Sequence, residues 1–152
     1  MSLKRFRVVS SLACLMAYFP GAYFAVPALA QSQGQATIIL KVTGFRSEKG
    51  QVKIAVFNAR EKWPEDPVYS ATIDVNSPTV TWKISDVPYG DYAVAVFHDE
   101  NRNGKMDKNL LGIPVEAYGF SNHQRVTFGP PKWEATKFAV SGPVKDISIE
   151  VR

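Results

Sequence analysis

Short segments in which apolar and polar residues alternate constrain the fold of this chain more than any other feature. Alternation at every second residue places apolar side chains on one face of a strand, and it puts Val52, Ile54 and Val56 on one side of segment 51–57. Gly, Pro, Asn and Asp separate seven such segments, which are 37–43, 51–57, 70–75, 79–84, 91–98, 136–140 and 146–151. No segment has helical periodicity over more than about two turns. The sequence therefore predicts an all-β fold, a single antiparallel β-sandwich of about seven strands with one long loop insertion.

The first thirty residues have the three parts of a secretory signal. Lys4, Arg5 and Arg7 form a basic start, and an apolar stretch follows from residue 8 to residue 26. Small residues in 28–30 then stand where signal peptidase cuts. We predict a cleavable signal peptide at 1–30 and a β-sandwich domain at 31–152, located in the periplasm or secreted.

Two alternative interpretations of this leader stay open. A membrane anchor would need about 20 uninterrupted apolar residues, whereas Pro20 and Gly21 break the run near its middle. Lipid attachment at Cys14 would leave only a very short apolar region in front of the cysteine. Both features favour the cleaved signal.

Removal of the leader changes the charge and the cysteine content of the chain. The whole sequence has 18 basic and 14 acidic residues and a net charge of +4. The leader contains three of the basic residues and the only cysteine, so 31–152 has a net charge of +1 and no possible disulfide. We therefore expect no nucleic-acid partner and no membrane association after cleavage.

The segment after the most apolar strand has the spacing of a calcium loop. Oxygen-bearing side chains recur at alternate positions, Asp99, Asn101 and Asn103, and a glycine follows where such a loop turns sharply. Lys105 offers a backbone carbonyl, and Asp107 offers a second carboxylate. Because a hard cation prefers several convergent oxygens, these five residues are the predicted metal ligands and calcium is the predicted cofactor.

The loop also departs from the helix-flanked calcium loop. The twelfth position, where a bidentate Glu closes that loop, is Leu110 here, and a strand rather than a helix precedes the loop. Asp107, or Glu116 from farther along the chain, would have to complete the site. We expect weak affinity, with a Kd of about 10⁻⁴–10⁻³ M. The alternative is an Asn- and Gly-rich turn, for which Asn103-Gly104 would suffice.

Aromatic residues in the long connection give a weaker signal. Tyr118, Phe120 and Trp133 are candidates for ligand contact, with an envelope polysaccharide or protein as the partner. The alternative is that these rings, together with Phe128, cover an open end of the sandwich. Since large aromatic side chains bury extensive area in most folds, the second interpretation is favoured.

Enzyme chemistry has little support in the sequence. No nucleophile elbow, zinc-protease motif or phosphate-binding glycine loop occurs. His98 and Asp99 are adjacent on a strand, so their side chains should point to opposite faces, and His123 has no obvious partner. We expect a protein that is not an enzyme, and a hydrolase using either histidine is the least supported alternative.

Several segments resemble a known bacterial family. Pro88 to Asp107, Leu111-Gly112-Ile113-Pro114, Tyr118 to Asn122, Gly50-Gln51-Val52 and Pro130-Pro131 closely resemble the exported family catalogued as domain of unknown function 2141. The resemblance implies a secreted or periplasmic β-sandwich, similar to transthyretin-like, Ig-like and carboxypeptidase-regulatory domains, with no assigned activity. It also implies that 99–107 and 118–122 form one shared feature, and we expect them to pack at the same end of the sandwich.

These observations lead to one main hypothesis and its alternatives. The main hypothesis is an exported non-enzymatic β-sandwich module of unknown partner, with a long loop ordered by calcium. The alternative is a carbohydrate- or peptide-binding module that uses the loop aromatics.

Overall fold

A computed structural model describes residues 34–125 and 129–152 of the chain. The predicted signal peptide at 1–30, including Cys14, lies outside the described residues, and so does Phe128. Within the two described ranges, no helix is long and apolar enough to cross a membrane.

The described chain forms two β-sheets. A three-stranded sheet has the order β4-β1-β8 and consists of Gln35–Thr43 (β1), Thr79–Pro88 (β4) and Val144–Glu150 (β8). A five-stranded sheet has the order β3-β2-β5-β6, and a short strand, β7, pairs with β5. Its strands are Gln51–Phe57 (β2), Tyr69–Asp74 (β3), Gly90–Asp99 (β5), Tyr118–Phe120 (β6) and Phe138–Val140 (β7). The predicted all-β sandwich is confirmed.

Helical structure among the described residues is limited to three short turns, which are the 3₁₀ turns Arg60–Lys62 and Ser121–His123 and the four-residue helix α1, Trp133–Thr136. The sequence had placed Thr136 at the start of a strand. Its hydroxyl instead donates to the carbonyls of Lys132 and Trp133 at 2.9 and 3.1 Å. The strand therefore begins at Phe138, after the turn has ended.

Two further features of the sheets differ from the sequence prediction. Strand β6 is only three residues long, too short to show periodicity, and its pairing with β5 defines it. Strand β8 runs parallel to β1, so the three-stranded sheet is mixed rather than purely antiparallel. The chain enters β8 beside the start of β1, where the Thr37 N–H donates to the Pro143 carbonyl at 2.9 Å.

The core lies between the inner faces of the two sheets and follows the alternation in the sequence. It contains Ile38, Leu40 and Val42 from β1, Val52, Ile54 and Val56 from β2, and Val94 and Val96 from β5. These side chains are almost completely buried. Since burial of apolar area is the main favourable term in folding, this layer supplies most of the stabilisation.

A second apolar layer covers the outer face of the five-stranded sheet. Phe57, Ala93 and Trp133 are buried there, and Trp63 packs against them. The ring centroids of Phe57 and Trp63 lie 5.0 Å apart in an edge-to-face arrangement, which is a favourable geometry for aromatic pairs. Strand β5 is thus buried on both faces, as its two-sided apolar sequence predicted.

The two sheets are joined along one side by β6 and the C-terminus. The backbone groups of Tyr118 and Arg152 exchange two hydrogen bonds, at 3.2 and 3.1 Å. Gly119 lies against β8 at this junction, and a Cβ atom there would be 2.7 Å from Ile149 Cγ2 and 2.8 Å from the Glu150 carbonyl oxygen. The close approach of the sheets therefore requires a residue without a side chain.

We predict that Gly119→Ala lowers the free energy of unfolding by about 1–3 kcal/mol, because the added methyl group forces the backbone of β8 to move. Gly142→Ala is the matched control, since a Cβ at Gly142 has no atom within 4 Å. Urea unfolding of both variants measures the difference. Equal stability of the two variants would show that the junction is not tightly packed.

Candidate functional site

The candidate site is the connection that leaves β5 and returns to β6. Asp99 is the last residue of β5 and pairs in register with Gln51 of β2. The connection returns beside the same strand, where the His98 N–H donates to the Ala117 carbonyl at 2.8 Å. The loop is therefore anchored at both ends to the central strand of the larger sheet.

The Asp99 carboxylate organises the first turn of this loop. It is completely buried, and its Oδ1 accepts the Asn103 N–H at 3.0 Å. Its Oδ2 accepts the Gly104 N–H at 2.9 Å and the Gln51 amide at 2.7 Å. A single side chain thus binds the loop backbone to the end of strand β2.

These contacts determine the ionisation of Asp99. Burial opposes the charged form, but hydrogen bonds from the Gln51 amide and from the backbone N–H groups of residues 102–104 outweigh it, so the pKa of the carboxyl lies below its ordinary value. The side chain is therefore a carboxylate at neutral pH.

Three of the predicted ligand side chains meet on the other side of the turn. Asp107 Oδ2 accepts the Asn101 amide at 2.6 Å, and its Oδ1 accepts the Asn103 amide at 2.9 Å. The amide oxygens of the two asparagines accept the N–H groups of Asn103 and Lys105, at 3.0 and 2.8 Å. The two asparagine side chains therefore meet Asp107 through their amide nitrogens, whereas their amide oxygens, the atoms predicted to bind a cation, accept backbone N–H groups of the same turn.

The sharp bend of the loop occurs at two residues in left-handed conformations. Gly104 has a φ of +80°, and Arg102 has a φ of +62°. Arg102 is held there by its guanidinium, which donates to Asp74 Oδ1 at 2.8 Å and to the Gly50 carbonyl at 3.1 Å. The strained non-glycine residue is thus tied to the neighbouring strand β3 and to the turn before β2.

Glu116 braces the two ends of the loop. Its carboxylate is 6% exposed, and its oxygens accept the N–H groups of Glu100 and Asp107 at 3.1 and 3.0 Å. The sequence proposed Glu116 as an additional cation ligand, and the structure places it as a backbone acceptor at the base of the loop.

The second half of the connection is a small hairpin. The Val115 N–H donates to the Asp107 carbonyl at 2.9 Å, and Lys108 pairs with Pro114. At its tip, Leu110 is 105% exposed. The twelfth position of the calcium-loop spacing therefore lies in the tip of this hairpin and is exposed to solvent, rather than closing the turn at 99–107.

The structure brings Asn101, Asn103 and Asp107 into direct contact and places Asp99 directly behind them, while Lys105 contributes backbone only. In residues 34–125 and 129–152, no group of three or more His, Cys, Asp or Glu side chains could hold a metal ion. A cation here would depend on amide and carbonyl oxygens beside two carboxylates. Oxygen-rich sets of this kind suit calcium better than zinc.

The two histidines have different environments. His98 is completely buried, its Nε2 lies 2.7 Å from the Lys49 carbonyl oxygen, and its Nδ1 has no hydrogen-bond partner. His123 lines a cavity of about 190 Å³ together with Arg125, Glu150 and Arg152. The carboxylate of Glu100 lies 3.9 Å from His98 Nδ1, beyond hydrogen-bond distance.

A separate apolar groove lies on the outer face of the five-stranded sheet. It has a volume of about 290 Å³, and Tyr118 and Phe120 are among its lining residues. Trp133, the third aromatic candidate for ligand contact, is 8% exposed and belongs to the buried layer with Phe57 and Ala93. The structure therefore brings two of the three aromatic candidates to the groove and places the third beneath the surface.

The expected packing of 99–107 against 118–122 holds for one end of the second segment only. Tyr118 pairs with Phe97, two residues before the loop. Strand β6 then runs antiparallel to β5 and away from the loop, so Asn122 instead donates its amide to the carbonyls of Ala135 and Lys137.

A family model described as an uncharacterised protein conserved in bacteria (DUF2141) matches residues 40–148. This range covers strands β2 to β7, the long loop, the residues that line the groove and parts of β1 and β8. No curated protein and no solved structure gives a significant match to the chain.

We predict that Asp99→Asn lowers the free energy of unfolding at neutral pH by about 1–3 kcal/mol, because an amide cannot accept all three hydrogen bonds. Since the folded-state pKa of Asp99 is depressed, its contribution is present above the unfolded-state value of about 3.9 and is lost as the pH falls through the folded pKa. Urea unfolding from pH 7 to about pH 2 should show the variant and the wild type converging. A constant difference over that range would contradict the assignment.

Proposed function

Because the chain belongs to the DUF2141 family of uncharacterised bacterial proteins, we propose a function from its loop: an exported, non-enzymatic β-sandwich module in which calcium orders residues 99–107. The observation that carries this proposal is the convergence of Asn101, Asn103 and Asp107 around one point, with the ionised Asp99 directly behind them.

The charges in the loop support weak rather than tight binding. Asp99 and Asp107 supply two carboxylates, while Lys105 lies in the same turn and Arg102 pairs with Asp74. A calcium ion bound to Asp107 would replace the hydrogen bonds that Asp107 accepts from the Asn101 and Asn103 amides. Both amide groups would then be able to turn their oxygens toward the ion. With two charged ligands and nearby cations, the proposed Kd stays at about 10⁻⁴–10⁻³ M, a range suited to extracellular calcium.

Export is supported by the sequence of residues 1–30 and agrees with the calcium proposal. A periplasmic or secreted protein meets the calcium of the surroundings, and a loop of weak affinity is filled only there. The absence of catalytic motifs in the sequence supports a non-enzymatic role. A hydrolase is the less supported alternative: it would have to use His123, which lines a cavity with Glu150, or the buried His98, whose Nδ1 lies 3.9 Å from Glu100 Oε1.

A second candidate function, a ligand-binding module, is favoured by the groove. Tyr118 and Phe120 line it, and their ring centroids lie 5.8 Å apart. Burial of Trp133 removes one of the three aromatic side chains proposed for ligand contact. The groove therefore favours ligand binding, but a sugar is a weaker candidate for the ligand than it was from the sequence alone.

We predict that about 10 mM calcium stabilises the purified protein by about 1.4–2.7 kcal/mol relative to EDTA, since an ion that binds only the folded state stabilises it by mass action. Asp107→Asn should abolish this increase, because it removes the charge of a half-buried proposed ligand while the shape of the side chain is retained. Thermal melts monitored by circular dichroism measure both effects.

Asp146→Asn is the matched control, an exposed change of the same kind on β8 in the other sheet. It should keep the full calcium effect. A wild-type melt that does not respond to calcium would reject the calcium proposal, and magnesium at the same concentration tests for a general effect of divalent salt.

The export proposal predicts a mature protein that begins at Gln31. Expression of the full chain in a Gram-negative host, followed by cell fractionation and intact-mass measurement, should find that species in the periplasm or medium. Ala28→Arg and Ala30→Arg together should block cleavage, because signal peptidase requires small residues at these positions. An uncleaved wild-type chain in the cytoplasm would contradict the proposal.

A further inference from the structure

The groove on the outer face of the five-stranded sheet has a floor of small side chains. Ala55 and Ala95 face each other across β2 and β5, and both line the groove. The next residues on the same face of these strands are the large Phe57 and Phe97. Because Ala55 and Ala95 carry only methyl groups, the outer apolar layer is interrupted between the two rings and a groove remains. The space follows from the sequence and from strand register, and no rearrangement is needed to form it.

The walls of the groove come from separate parts of the chain. Tyr118 and Phe120 of β6 form one side, Pro64 comes from the connection after β2, and Met106 and Pro114 come from the long loop. All five are apolar or aromatic. Walls that come from three separate segments distinguish a concave site from a scatter of exposed apolar residues.

Polar groups are scarce in this lining. Lys108 supplies the one charged side chain of the groove, and it forms no ion pair in the part of the chain that the structure describes. A sugar has a hydroxyl on almost every carbon, and each hydroxyl buried without a partner costs free energy. The lining therefore disfavours a carbohydrate and favours an apolar body with one negative charge.

The volume limits the size of such a ligand. A dry apolar cavity of about 150 Å³ holds a benzene molecule, and this groove is about twice as large, at about 290 Å³. Two fused rings or a chain of about ten to twelve carbons would fill it. The turn between Lys108 and Gly112 also exposes Leu110 and Leu111, so apolar surface continues beyond the groove.

We infer that this groove binds a small amphiphilic anion, with its apolar body over Ala55 and Ala95 and its acidic group at the Lys108 ammonium. The inference rests on the second candidate function, ligand binding, and it does not require bound calcium. It names the chemical class of the ligand: a medium-chain carboxylate or an aromatic acid.

Two fluorescent probes of similar ring content test this inference on the purified exported protein. 1-Anilinonaphthalene-8-sulfonate is an amphiphilic anion, and N-phenyl-1-naphthylamine is its neutral counterpart. The naphthalene of each probe would fill the groove, and its phenyl ring would lie on the apolar surface that continues at Leu110 and Leu111. Both should bind with one-to-one stoichiometry, and dodecanoate should displace them. Titrations in EDTA and in calcium keep the result separate from the calcium proposal.

Variants then locate the bound probes. Ala55→Leu fills the floor and should weaken both probes at least about tenfold, whereas Ala139→Leu, on an exposed position of β7, should leave both unchanged. Lys108→Gln should weaken the anionic probe by about two- to fivefold, the effect of one exposed charge pair, and leave the neutral probe unchanged. Met106→Glu is a second test on the loop wall, and it should weaken the anion more than the neutral probe.

The outcomes separate the inference from the function on which it rests. Probe binding that Ala55→Leu and Met106→Glu leave intact overturns the inference, because the probes then bind elsewhere. If the probes fail to bind while a polysaccharide or peptide binds and Tyr118→Ala abolishes that binding, the ligand-binding function stands and the amphiphile is wrong. Absence of binding to every probe, polysaccharide and peptide would reject both.

Discussion

The buried carboxylate of Asp99 is the interaction on which the long loop depends. It lies at the end of the strand that is buried on both faces, where a charge excluded from water would be costly without partners. Backbone N–H groups of residues 102–104 and the Gln51 amide supply those partners and keep it ionised. The loop and the sheet therefore stabilise each other: the turn must close for the charge to be tolerated, and the register of β2 with β5 must hold for Gln51 to reach it.

The strands were predictable because their signal is local. Val52, Ile54 and Val56 alternate with polar residues within one segment, so one buried face is visible in the sequence itself. Strand β6 has no such signal, since Tyr118-Gly119-Phe120 becomes a strand only through β5 on one side and Arg152 on the other. The parallel pairing of β8 with β1 was missed for the same reason: strand order and direction depend on contacts between distant segments.

In the candidate site, too, the local features were predictable from the sequence and the contacts between distant residues were not. The spacing of Asp99, Asn101 and Asn103 before Gly104 indicated a sharp turn at the glycine, and Gly104 has a φ of +80°; such a turn is predictable because residues a few positions apart determine its geometry. The contributions of Gln51 and Glu116 were beyond the sequence, since Gln51 lies 48 residues from Asp99 and acts only through strand pairing, and Glu116 acts as a brace rather than as a ligand. The burial of Trp133 agrees with the interpretation that the sequence favoured, although its packing partners, Phe57 and Ala93, were not predictable.

The loop and the groove share one short piece of chain. Met106 and Lys108, which line the groove, flank Asp107, which the two asparagines hold. Any group that holds Asp107 in place, whether the asparagine amides or a cation, therefore also restricts the positions of Met106 and Lys108 in the groove wall. Coupling between two sites is reciprocal and arises when each ligand orders the same segment. A cation in the loop and an amphiphile in the groove would consequently favour each other's binding. The first ligand to bind orders residues 106–108, so the second ligand binds a segment that is already ordered and loses less conformational entropy.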